Sequence, residues 1–139
     1  MKRQMLLDAG PLVALLNRKD AYHRWAAAQW GQLEPPLLTC EAVVTEACYL
    51  LRHSPAGAEA MMDLLDRQIV RVAFRLEEHL QPIARLLAKY ADVPMSLADA
   101  CLVRMAEIHV GSKVVTLNTD FRLYRKHNRQ VVPLIIPEM

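Results

Sequence analysis

The sequence predicts an α/β fold, a mostly parallel sheet of four to five short strands with helices on both faces. Two observations predict it. Short continuous apolar runs recur at residues 5–7, 37–39, 69–74 and 113–117, as expected of parallel strands buried on both sides. Longer segments with helical start and stop signals lie between them, and strands alternating with helices make βαβ crossovers.

Taken in order, the first run ends on Asp8. Gly10-Pro11 marks a turn, and Pro11 suits the first position of a helix over 12–18. Asp20 is placed to cap a second helix, through Trp25 and Trp30 to about Gly31. Pro35-Pro36 breaks the chain before the strand at 37–39. Residues 41–52 form an almost wholly apolar helix, and Ser54-Pro55 restarts a helix that continues to about Gln68. The run at 69–74 is rich in β-branched residues. A helix follows from about Glu77 to Tyr90, and Pro94 stops the chain. Ser96 caps a helix to about His109, which Gly111 ends. After the strand at 113–117, Asp120 is placed to cap a short helix over 121–126, and 131–135 offers a last strand.

A chain of 139 residues is one ordinary domain and can bury a single core. With 53% hydrophobic and 23% charged residues it is globular rather than disordered. The net charge of +2 is compatible with a nucleic-acid partner but does not demand one. Cys40, Cys48 and Cys101 are odd in number and show no zinc-like spacing, so they read as reduced thiols of a cytosolic protein. Lys2 and Arg3 precede an apolar stretch, but Asp8 and Pro11 interrupt it and no cleavage-like site follows. No run approaches the roughly 20 apolar residues of a membrane span. The expectation is a soluble, cytoplasmic protein.

Sites in such sheets form beyond the carboxyl ends of the strands, which draws attention to the acids there. Asp8 follows the first strand; it is either a turn acid before Gly10-Pro11 or a site residue. Glu46 stands between Val43 and Leu50 on a helix apolar nearly all round, which is expected to be largely buried. A lone buried carboxylate costs several kcal/mol unless it is paired, protonated or bound to a cation. No Lys or Arg lies one turn away, so an arginine across the fold, such as Arg104, or a metal ion must answer it. Asp99 has capping-box spacing from Ser96, a role compatible with a site role. Thr116 and Asn118 close the fourth strand, and Asp120 follows; each is a turn or cap residue or part of the site. Together these acids suggest one cluster whose mutual repulsion a divalent cation would remove. An all-oxygen ligand set selects Mg²⁺, Mn²⁺ or Ca²⁺ over zinc.

These segments are similar to a known family. Residues 7–16, LDAGPLVALL, resemble the opening of PIN domains, especially the VapC-type toxin nucleases. Asp20-Ala21-Tyr22-His23 is similar to the segment that follows there. Val43-Val44-Thr45-Glu46, Ser96-Leu97-Ala98-Asp99-Ala100 and the run 115–121, VTLNTDF, resemble its later motifs, in order along most of the chain. The resemblance implies a three-layer PIN-like fold over residues 1–139 and Mg²⁺- or Mn²⁺-dependent hydrolysis of RNA to 5′-phosphate and 3′-hydroxyl ends. It also implies a homodimer and, in toxins, a cognate antitoxin. Carried over by motif, Asp8, Glu46 and Asp99 are the core acids. Asn118 stands where many members have an acid, so Asp120 is the candidate fourth metal ligand. Thr116 is a candidate to orient a water or a ligand.

RNA approaching an acidic pocket needs cations nearby. Arg122 and Arg125, with Lys126, His127 and Arg129, form the densest basic cluster, either a substrate contact or a solvated helix face. His23 reads as a surface or capping residue, and Trp25 and Trp30 as packing residues. The apolar side chains of 12–30 and 56–65 read as core, or as a dimer or antitoxin surface. A signalling receiver domain fits less well, because Lys113 precedes its strand and no adjacent acid pair ends the first. The alternative within the same family is a catalytically degenerate domain that only binds RNA or a protein, which Asn118 keeps open.

Overall fold

The computed structural model describes residues 3–138, so Lys2 of the basic opening lies outside the described residues. Five short strands form one sheet: β1 (Met5–Leu7), β2 (Leu37–Thr39), β3 (Val70–Val72), β4 (Lys113–Val115) and, late in the chain, β7 (Leu134–Ile135). Their order is β3-β2-β1-β4-β7, and every neighbouring pair is parallel. Six helices pack on this sheet: α1 (Ala9–Leu16), α2 (His23–Trp30), α3 (Glu41–Leu50), α4 (Gly57–Asp66), α5 (Leu80–Lys89) and α6 (Leu97–Ile108). Right-handed crossovers put α1 to α4 on one face and α5 with α6 on the other; α1 packs on α2, α3 and α4, and α5 packs on α6. The sheet is sandwiched, and its apolar runs supply the middle of the core: Leu6, Leu7, Leu37, Val70, Val114 and Val115 are all buried. Each fully buried leucine contributes about 1.5–3 kcal/mol through burial.

Several boundaries differ from the sequence expectation for local reasons. The first helix begins at Ala9 rather than after Pro11, because Asp8 itself is the N-cap, accepting from the Ala9 N–H. Asp20 does not cap α2; its carboxylate accepts from the Tyr22 N–H in a turn, and the helix starts at His23. The fourth helix starts at Gly57 rather than at Ser54-Pro55, and the φ of +53° at Gly57 shapes its entry. The third strand is only Val70–Val72, and residues Leu76–His79 form a 3₁₀ turn before α5.

The largest correction concerns residues 119–131. Asp120 does not cap a helix over 121–126. Asn118 does the capping, its side-chain oxygen accepting from the Asp120 N–H at 2.9 Å, and a 3₁₀ turn spans Thr119–Arg122. The chain then forms an antiparallel hairpin, β5 (Arg125–Lys126) and β6 (Gln130–Val131). His127 and Asn128 make its turn with positive φ, a conformation that helix-forming composition does not reveal.

The helix carrying Glu46 is also less buried than its composition suggests. Only Val43 and Ala47 of α3 are buried, while Glu46, Tyr49 and Leu50 are exposed. Arg104 does not pair with Glu46; it pairs with Glu107 at 3.1 Å. Trp25 and Trp30 pack against the core, as read from the sequence. His23 bonds the Ala14 carbonyl and so ties α2 to α1. Met61 and Leu64 are core, whereas Met62 is exposed. Among the described residues no helix is long and apolar enough to cross a membrane.

Candidate active site at the carboxyl edge of the sheet

Successive connections leave β1 in opposite directions, toward β2 on one side and, later in the chain, toward β4 on the other. This is the topological switch point at which open α/β sheets bind ligands. The parallel register sets Leu7 beside Val115. The next residues of the two strands, Asp8 and Thr116, therefore emerge side by side. The Thr116 hydroxyl donates to Asp8 Oδ2 at 2.7 Å, and Asp8 Oδ1 accepts from the Ala9 N–H at 2.8 Å. Thr116 Oγ1 in turn accepts from the Asn118 N–H at 2.9 Å. One carboxylate thus caps a helix and is clamped by the neighbouring strand.

Asp99 reaches the same edge by a different route. Helix α6 precedes a parallel strand, so it starts at the carboxyl edge and runs back across the sheet. Its first turn carries a complete capping box: the Asp99 N–H donates to Ser96 Oγ, and the Ser96 N–H donates to Asp99 Oδ2. Asp99 Oδ2 also accepts from the Tyr124 hydroxyl at 2.9 Å. Both bonds fall on the same oxygen, so capping does not exhaust the carboxylate.

The charges of these acids feel one another. Burial pushes the Asp8 carboxyl from 3.8 up to about 6, opposed by the bonds from Thr116 and Ala9 and reinforced by the charges of Asp99 and Glu46. Glu46 is exposed as a residue, yet protein displaces part of the water around its carboxylate. That desolvation, followed by the charge of Asp99, raises its pKa. The Tyr124 phenol is held protonated first by burial, then by its bond to Asp99 and the charges of Asp99, Asp120 and Asp8. The acids nominated by sequence therefore lie within electrostatic reach of one edge. Among the described residues, none of them is paired with a lysine, arginine or histidine.

The donors are all oxygen, the set that magnesium and manganese take. Among the described residues, no three acidic, histidine or cysteine side chains are grouped tightly enough to hold a metal ion by themselves. The described residues at this edge therefore do not form a closed protein cage. Of the nominated substrate contacts, Arg122 is exposed, while Arg125 donates from its Nη1 to the carbonyls of Arg122 and Tyr124.

Two positioning residues escape a reading of the sequence. Tyr124 is fully buried, rests edge-on against Tyr90 and Phe121, and bonds an acid on another element. Thr39, buried at the end of β2, donates to the Leu7 carbonyl at 2.7 Å and fixes the strand end that presents Asp8. Thr39 carries a weak signal, a hydroxyl closing an apolar run; Tyr124 carries none, since its partner lies in another helix. Tyr124→Phe is expected to cost about 2 kcal/mol, because the deleted hydrogen bond ends on a carboxylate; urea unfolding at neutral pH measures it.

Three comparisons bear on this fold. The family model for the PIN domain matches residues 5–127. No curated protein sequence matches the chain. Among solved structures, the chain resembles VapC20 of Mycobacterium tuberculosis, described as a toxin that cleaves the sarcin-ricin loop. The TM-score is 0.71 at 20% identity, covering 80% of this chain and 87% of that one.

Proposed function

The chain belongs to the PIN-domain family, and from that premise we propose that it is a metal-dependent endoribonuclease, a VapC-type toxin that hydrolyses phosphodiester bonds of RNA. What carries the reading is the pair Asp8 and Asp99, buried at the switch point without a cationic partner among the described residues. Buried, mutually repelling carboxylates call for a divalent cation. Mg²⁺ and Mn²⁺ suit the donors, since Mg²⁺ keeps several waters and takes only one or two carboxylates. Such an ion supplies a more acidic water and polarises the phosphate.

The chain's own groups set the rest. Asp8 and Asp99 are the proposed direct ligands. Glu46 and Asp120 complete the acidic ring or hold its waters. The Thr116 hydroxyl fixes Asp8 in one rotamer, and the Tyr124 hydroxyl does the same for Asp99. Asn118 acts as a cap rather than as a ligand, which leaves the fourth acidic position to Asp120.

As a toxin the protein would work in the cytoplasm and be restrained by an antitoxin. Leu50, exposed on α3, borders a cavity of about 620 Å³ shared with the end of α1 and the turn that precedes α4. That apolar margin favours a protein partner, either the antitoxin or a second copy in a homodimer. The decisive experiment incubates RNA with the protein, with and without Mn²⁺, and maps the ends. The expected products carry 5′-phosphates and 3′-hydroxyls and appear only with the metal. Cleavage indifferent to divalent ions, or cyclic phosphate ends, would remove the proposal.

A further inference from the structure

Apart from His127, the basic residues that surround a cavity lie outside the cluster that is dense in the sequence. A cavity of about 210 Å³ opens between α5, α6 and the turn of the β5–β6 hairpin. Arg85 and Lys89 line it from α5, Arg104 from α6 and His127 from the turn, over a floor that includes Leu86. Glu107 is its one acid, and both its oxygens are engaged. One accepts from Arg104 at 3.1 Å, the other from the His127 N–H at 2.6 Å. Glu107 therefore braces two walls and offsets one cation.

Arg85 and Lys89 remain in excess. They stand one helical turn apart, where like charges repel. Lys89 spends one of its three protons on the Asn128 carbonyl at 2.9 Å, and Arg85 enters no ion pair among the described residues. The turn above them is held in a costly shape, with φ of 49° at His127 and 68° at Asn128. It is pinned down by the bonds to Glu107 and Lys89. A rigid, cation-lined hollow of this size fits a compact tetrahedral anion with a few waters.

Its position links it to the acidic edge. Arg104 follows Asp99 by five residues on α6, roughly 7–8 Å along the axis and about 140° around it, so the cavity opens on a different side of the helix from the acidic edge. The β5 strand that leads to His127 begins beside Tyr124, which bonds Asp99. We propose that this cavity binds a backbone phosphate of the RNA, neighbouring the one that is cut. The proposal rests on the ribonuclease reading and names how that site holds its substrate away from the scissile bond.

The test uses the full chain carrying Asp8→Asn, which keeps RNA intact, and a fluorescent single-stranded RNA of mixed sequence. The double variant Arg85→Gln/Lys89→Gln changes two exposed side chains. Its affinity is expected to fall about tenfold. The slope of log K against log salt is expected to shrink by about 0.7 for every phosphate that the variant no longer neutralises. Arg67→Gln/Arg71→Gln, an equal charge change at the opposite end of the sheet, is the control and is expected to leave both nearly unchanged. In the cleaving protein, Arg85→Gln/Lys89→Gln is expected to raise KM and spare kcat. Equal losses in both double variants, no RNA binding at all, or binding of inorganic phosphate with RNA affinity untouched would each overturn the proposal. RNA affinity that depends on Arg85 and Lys89 in a protein that never cuts RNA would sink the nuclease reading and keep the cavity. Cleavage with unchanged KM and affinity would do the reverse.

Discussion

Asp8→Asn is expected to abolish RNA cleavage, lowering the rate in Mg²⁺ by about 10²–10³-fold or more, because it removes charge at the point where the proposed cation and the reacting phosphate would meet. The same substitution has an opposite effect on stability, which separates loss of chemistry from loss of fold. Burial lifts the Asp8 carboxyl to about 6 from its ordinary 3.8. The folded protein therefore prefers the protonated side chain, whereas the unfolded chain releases the proton more readily. The stability this contributes is complete below pH 4 and is lost as pH rises through 6. At neutral pH the metal-free protein stands about 3 kcal/mol below its acid-side contribution from this group. An asparagine does not titrate. Urea unfolding between pH 4 and pH 8 in chelator is expected to show a decline for the native chain and a flatter profile for Asp8→Asn. A variant that cuts RNA at the native rate would end the proposed role of Asp8.

Divalent cations that bind only the folded state are expected to stabilise it by RT ln(1 + c/Kd) at free ion concentration c. At a concentration one hundred times Kd, binding adds about 2.7 kcal/mol, which for a domain of this size raises Tm by roughly 5–10 °C. Mg²⁺ and Mn²⁺ are expected to produce this shift in the native chain, and chelator to reverse it together with cleavage. Asp8→Asn and Asp99→Asn each lose most of the shift. Glu46→Gln is expected to lose less, since Glu46 is exposed and acts from the rim. A native protein whose melting ignores both ions would contradict the metal-dependent reading.

The sheet is legible in the chain because parallel strands buried on both sides leave a plain mark. The runs before Asp8 and Thr116 and the run ending at Thr39 can be placed from their apolar continuity. The acids are legible for a related reason: a carboxylate directly after such a run is carried to the strand's carboxyl end. Asp99 and its capping box can be read from spacing alone, and the structure joins the cap to a bond from Tyr124. Glu46 rests on a weaker argument. Apolar composition around a helix does not say which face meets the core, and α3 buries only one stripe. Asn118 and Asp120 are both good caps two residues apart, so the choice between them depends on how the chain leaves β4. The hairpin that follows is hidden because His127 and Asn128 adopt positive φ without glycine. The cations of the cavity escape notice because density in sequence is a poor guide to convergence in space. Arg85, Lys89 and Arg104 all lie outside the dense cluster, whereas Arg125 within it turns onto backbone carbonyls.

The clamp between Asp8 and Thr116 joins residues 108 positions apart. An emerging chain carries the aspartate from the outset but acquires the threonine only after the whole central helical segment has been translated. Until then the strand beside β1 is missing, and nothing holds the aspartate in register with α6. The carboxyl edge of the sheet is therefore completed only when β4 has joined β1, and a shorter N-terminal piece of the chain lacks the partner that holds Asp8 in this geometry.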